Sequence, residues 1–196
     1  MWRLVLAAAV SERKSASRMR IIAGLAKGRK LMVPAAGTRP MTGRARESIF
    51  SILADRVGGA RVLDLYAGSG SLGLEALSRG ATEVTFVERS MAAFTAIEQN
   101  VAAIGLGGVV LRGSVPRIFD QLPGGYDLIF IDPPYADTDD AVSLVLAALD
   151  RVAASDVLIV LHRQAASAVE LPEFLTWSDN RRYGDAVVTM MERASS

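Results

Sequence analysis

Asp132-Pro133-Pro134-Tyr135 concentrates more potential chemistry than any other short run of this 196-residue chain. Each proline fixes φ and removes an N–H donor, so the run is stiff, extended and rich in acceptors. The Asp132 carboxylate and the Pro133 carbonyl can accept the two hydrogens of an amine such as the exocyclic amine of a nucleobase. That amine is a poor nucleophile because its lone pair is delocalised into the ring. Acceptors that turn it toward tetrahedral geometry localise the lone pair, and they bind more strongly as positive charge develops on nitrogen. Pro134 keeps the segment rigid, and Tyr135 can stack on a flat ring. Asp132 is read as an orienting and electrostatic group first and a general base second, since a proton on an alkylated nitrogen can also leave to water. In isolation the run would also serve as a strand-ending turn.

A second constellation lies upstream. Asp64-Leu-Tyr66-Ala67-Gly68-Ser69-Gly70-Ser-Leu-Gly73 follows an apolar run and leads into a helical pattern. Gly68, Gly70 and Gly73 match the GxGxxG spacing, which by itself is a weak signal for a dinucleotide-type turn. Asp64 separates two cofactor readings. A carboxylate there would repel a pyrophosphate, whereas it suits the cationic methionine end of S-adenosylmethionine, directly or through water. Glu88, with Arg89 after it, ends the next apolar run and can accept hydrogen bonds from both hydroxyls of a ribose; this fits either cofactor. The adenine is expected near Gly113 and Ser114, held by the serine hydroxyl or by a backbone group.

These groups need a scaffold that brings strand ends together. Arg61–Tyr66, Glu83–Glu88, Val109–Arg112, Tyr126–Ile131 and Asp156–Leu161 read as strands. Helices are predicted over Ser71–Ser78, Met91–Ala103, Ser114–Gln121 and Thr138–Arg151, and a closing hairpin over Thr176–Tyr183 and Ala186–Glu192. Strands alternating with helices imply a parallel sheet covered on both faces. Ahead of them, Arg20–Gly24 and Arg29–Val33 are predicted strands around a Lys27-Gly28 turn. Gly43 to Arg56 has Ile49, Ile52 and Leu53 at helical spacing, with Arg44 and Arg46 expected to be exposed on its first turn. The chain is thus divided into 1-18, an extension expected to be disordered; 19-40, a basic hairpin and linker; and 41-196, the catalytic domain.

The formal net charge of +1 conceals a segregation. Residues 1–46 hold eleven of the Lys/Arg and a single acid, Glu12, whereas the remainder holds twenty acids. A basic arm on an acidic body suits a polyanionic partner, with Arg20, Lys27, Arg29, Lys30, Arg39, Arg44 and Arg46 as phosphate contacts. With no cysteine and one histidine, a thiolate or conventional zinc site is not expected. No run reaches the ~18 apolar residues of a membrane span. A cytoplasmic monomer without metal is expected. His162 reads as an ordinary strand-end residue, and Asp137, Asp139 and Asp140 read as acids at a helix N-terminus.

The motifs RIIAGLAKGRKL, TRPMTGRARESIF, VLDLYAGSGSLGLEALSRGA, FVE, DPPY and RRYGD together resemble the RsmD family of 16S ribosomal RNA guanine-N2 methyltransferases. The likeness runs from about Arg20 to Arg193, and Thr38 to Phe50 is its most specific part. Met41 stands where the family pattern has threonine. The resemblance implies a Rossmann-like class I methyltransferase fold: a seven-stranded, mostly parallel sheet, its last hairpin antiparallel to the rest. It further implies S-adenosylmethionine as donor and one guanine of 16S rRNA, in a small-subunit assembly intermediate, as acceptor. Two other readings stay open: another DPPY-type amino-methyltransferase acting on DNA or a protein glutamine, and a non-catalytic RNA-binding assembly factor.

Overall fold

The computed structural model describes residues 19–34 and 41–194. Residues 1-18 and Arg39 lie outside the described residues. Helix α1 (Gly43–Leu53) is followed by β1 (Arg61–Leu65), α2 (Ser71–Ser78), β2 (Glu83–Glu88), α3 (Met91–Ile104) and β3 (Val109–Arg112). Then come β4 (Tyr126–Ile131), α4 (Asp139–Ala148), β5 (Ala153–Gln164), β6 (Leu175–Tyr183) and β7 (Ala186–Arg193). The strands form one sheet in the order β3-β2-β1-β4-β5-β7-β6. The order reverses between β1 and β4, and that switch point opens a crevice at the carboxyl ends of the strands.

Alternation along the strands divides the core into two layers. Val62, Leu128, Phe130, Leu158 and Val160 face one side, where α1, α2 and α3 pack. Leu63, Leu65, Ile129, Ile131, Ile159 and Leu161 face the other, against α4. Both faces are apolar because both are covered. On α1 the buried Ala45, Ile49, Phe50 and Leu53 recur at helical spacing, and the Phe50 ring lies 5.6 Å from that of Phe130. Thr42 caps this helix by accepting from the Ala45 amide. Among the described residues no helix is long and apolar enough to cross a membrane.

Four expectations change in detail. The predicted helix over Ser114–Gln121 is a short 3-10 turn at Arg117–Gln121, since Pro116 restricts the residue before it and starts the turn late. Of the closing hairpin, only β7 runs against the sheet: it pairs antiparallel with both β5 and β6, which leaves β6 parallel to the others. The basic hairpin closes through one bridge, Arg20 with Lys30. Its loop turns onto α2 instead of extending as strands, with the Ile22 and Ala23 amides donating to Glu75 and the Ala26 amide to Ser78. Arg46 is not exposed. It is buried on α1 with its guanidinium donating to the Arg20 carbonyl, because the Met19–Pro34 segment covers that face.

Candidate active site

Sheet register brings the site together. Leu65 pairs with Val87 and with Ile131, and Ile131 pairs with Leu161. The next residue of each strand therefore lies at one level: Tyr66, Glu88, Asp132 and His162. Glu88 pairs with Arg112 in turn, and the Gly113 amide donates to the Glu88 carbonyl at 3.1 Å, which sets Gly113 and the exposed Ser114 at the same rim.

The glycine loop is built for a close backbone approach. Tyr66 has φ 59° and Gly68 φ 59°, the first unusual for a side chain with a Cβ. A Cβ on Gly68 would meet nothing nearer than 3.9 Å, so this glycine borders open space. Gly73 serves differently: a Cβ there would come within 2.4 Å of the Phe86 ring, so it lets α2 lie close on β2. Ala67 and Gly70 close the turn with a 2.7 Å backbone bond, and Ser69 is fixed by Asn100, whose side-chain amide donates to the Ser69 carbonyl at 2.9 Å.

Asp64 is 1% exposed and accepts from the Gly73 amide at 2.9 Å. Burial pushes its carboxyl up to about 8, opposed by the Gly73 amide and reinforced by Asp132 and Glu88. It is therefore a buried acid whose charge a nearby cation would stabilise. Glu88 is half-buried, accepting from the Gly68 amide at 3.0 Å with one oxygen and from the Ser90 amide at 2.8 Å with the other. Each oxygen keeps a free lone-pair direction. Burial, reinforced by Asp137, pushes the Tyr66 phenol up to about 12, so it stays a neutral hydroxyl. Arg89 is exposed beside the rim.

At the end of β4, Pro133 is buried, Pro134 half-buried and Tyr135 41% exposed. Asp132 meets the Nδ1 of His162 at 2.7 Å, an approach with no local signal in the sequence because 30 residues separate the two. Arg163 was likewise missed. Its buried guanidinium donates to the Pro134 carbonyl at 3.3 Å, to the Asp137 carbonyl at 2.9 Å and to the Asp139 carboxylate at 2.9 Å. Asp139 also accepts from the Ala168 amide; that bond and Arg163 hold its carboxyl below the usual range.

Of the basic residues, Arg20, Lys27, Arg29, Lys30 and Arg44 are exposed. Arg29 also caps α3 by donating to the Ala103 and Ile104 carbonyls. The buried Arg46 cannot present its charge at the surface in this arrangement.

Comparisons with known proteins agree with this architecture. The family model described as Conserved hypothetical protein 95 matches residues 19–192. Putative rRNA methyltransferase YlbH of Bacillus subtilis (strain 168) is 36% identical over 180 residues, covering 89% of this chain and 92% of that protein. Ribosomal RNA small subunit methyltransferase D of Escherichia coli (strain K12) is 40% identical over 120 residues, 60% of this chain and 61% of that protein. A solved structure described as a putative methyltransferase, yhhF, from Escherichia coli superposes with a TM-score of 0.80 at 31% identity, covering 91% of this chain and 99% of its own. With the match extending from the N-terminal segment through β7, the chain belongs to the RsmD family of methyltransferases.

Proposed function

We propose that this protein methylates ribosomal RNA, transferring the methyl group of S-adenosylmethionine to the exocyclic N2 amine of a guanine in 16S rRNA. The observation that carries this reading is Asp132, held at the tip of β4 by His162, on the same level as Glu88 and the open rim of Gly68.

The residues present fit the cofactor. Asp64 is a buried acid suited to the cationic methionine end, and Glu88 has lone pairs left for ribose hydroxyls. Backbone groups of Tyr66, Ala67, Gly68, Ser69 and Gly70 would line the methionine side. Arg89 would sit at the rim, and Gly113 with Ser114 would border the adenine. When bound, S-adenosylmethionine supplies an electrophilic methyl group.

The chain's own residues do the rest. Asp132 and the Pro133 carbonyl accept the amine hydrogens and aim the nitrogen lone pair. Pro134 keeps the segment stiff, and Tyr135, exposed at the rim, offers a face to the base. The target must be unpaired or turned out of its stack to reach these groups. Alignment and charge stabilisation supply the catalysis. Arg20, Lys27, Lys30 and Arg44 offer exposed charge for RNA phosphates, a contact that weakens with salt. Arg29 shares its charge with the end of α3.

The test is methyl transfer from labelled S-adenosylmethionine to 16S RNA and to small-subunit particles from a strain lacking the activity, with the nucleoside identified by mass spectrometry. N2-methylguanosine at one position is the expected product, and the better substrate shows whether an assembly intermediate is needed. No incorporation, with cofactor binding intact, rejects the RNA acceptor and turns the search to DNA and protein.

A further inference from the structure

We infer that His162 is a positioning residue for Asp132: its Nδ1–H holds Oδ1 and leaves Oδ2 as the oxygen that meets the substrate amine. The inference rests on the proposed methyl transfer and adds to it the group that fixes the acceptor's direction.

The geometry is explicit. Nδ1 lies 2.7 Å from Asp132 Oδ1, and the imidazole side chain is 7% exposed against 30% for the carboxylate. An ionised carboxylate has no hydrogen to give, so Nδ1 must carry one; both the neutral Nδ1–H tautomer and the imidazolium satisfy this. The imidazole is shielded from water, and Oδ1 is thereby committed to one fixed donor while Oδ2 faces none from His162. A free aspartate rotates about its Cβ–Cγ bond and averages its two oxygens. This one cannot rotate without breaking a part-buried hydrogen bond, which would leave the largely buried imidazole donor unpaired.

The surroundings explain why packing alone does not account for a histidine here. On β5 the same face carries Leu158 and Val160, and across the sheet His162 stands opposite the fully buried Val188. An aliphatic residue would continue that row. Successive strand residues point to opposite faces, so His162 and Arg163 take hold of the DPPY segment from both sides of the sheet. His162 fixes Asp132 at its start, and Arg163 fixes the Pro134 and Asp137 carbonyls beyond it. The Tyr135 ring lies 6.4 Å from the imidazole, tilted by 46° to it.

His162 is the only histidine in the chain, so the imidazole 15N signals of the labelled protein are its own. The expected spectrum shows a protonated Nδ1 whose shift moves in Asp132→Ala. In kinetics, His162→Phe keeps a ring and removes the donor; kcat should fall about tenfold or more, as when a charge-assisted orienting bond is lost. The RNA KM and the affinity for S-adenosylhomocysteine should stay within about twofold. His162→Asn, whose amide can occupy the place of Nδ1, should recover most of kcat. Wild-type kcat in His162→Phe overturns the inference, as does a folded His162→Asn no faster than His162→Phe. If the wild-type protein transfers no methyl to RNA, the proposed function fails on its own. The spectrum still decides the bond in that case, and identical imidazole signals with and without the Asp132 carboxylate overturn it.

Discussion

Asp64 should bind a proton in the ligand-free protein and lose it when the cofactor arrives. Its carboxyl stands at about 8 because the side chain is removed from water, a push that the Gly73 amide donating to it only partly opposes. At pH 7 a group at that value is roughly nine-tenths protonated. A cation within bonding range lowers a carboxyl by about 1–3 units, which brings Asp64 to roughly 5–7 in the complex. Binding at pH 7 should then release about 0.4 to 0.9 proton per cofactor. Affinity should rise with pH by about 10- to 1000-fold in all, and level off above about pH 8. Calorimetry in two buffers of different ionisation enthalpy reads the released proton directly, and Asp64→Asn should abolish it. The same shift has a consequence for stability. A carboxyl raised from 3.8 to about 8 contributes stability that is fully present below 3.8 and lost as pH rises through about 8, so the ligand-free Tm should decline over that window in the wild-type protein and less in Asp64→Asn. Buffer-independent binding heat at pH 7, with affinity flat from pH 6 to 9, would refute the assignment of Asp64 to the cationic end of the cofactor.

Three further outcomes are expected. Asp132→Ala should cost at least about 100-fold in kcat with cofactor affinity nearly unchanged; wild-type turnover would remove Asp132 from the mechanism. Glu75→Gln sets its amide nitrogen against one of the Ile22 and Ala23 amides, keeps an acceptor for the other, and loses the charge that faces Arg79, so chemical denaturation should show about 3 kcal/mol less stability; an unchanged midpoint would detach the N-terminal segment from the folding unit. Arg44→Ala should reduce the slope of log affinity against log salt by about 1, while Arg46→Met should alter Tm more than the salt slope. The reverse pattern would show that Arg46 reaches the RNA.

Much of the scaffold was legible because it depends on local rules. Glu83–Glu88, Val109–Arg112 and Tyr126–Ile131 were bounded correctly from apolar runs ended by turn residues, and Ser71–Ser78 from the glycines before it. Those features also placed Asp64, Glu88 and Asp132 at strand ends. Arg46 was misjudged because a basic residue in the first turn of an amphipathic helix looks the same whether solvent or another segment covers it. Here Met19–Pro34 covers it. The cover itself is anchored by Glu75, 52 and 53 residues from the amides it binds, and by Asn100, which grips the backbone of Met32.

The sequence by itself determined the alternation of strands and helices, the two glycines that open and pack the first loop, and the stiff acceptor run after β4, because φ restriction and apolar periodicity act within a few residues. Only the tertiary structure decided which side chains meet. The β4–β5 register sets His162 beside Asp132, the reversed β7 inserts between β5 and β6, and the Gly24 loop seats on Ser78. Pairings across dozens of residues follow from how whole elements pack, and no short stretch of sequence encodes that.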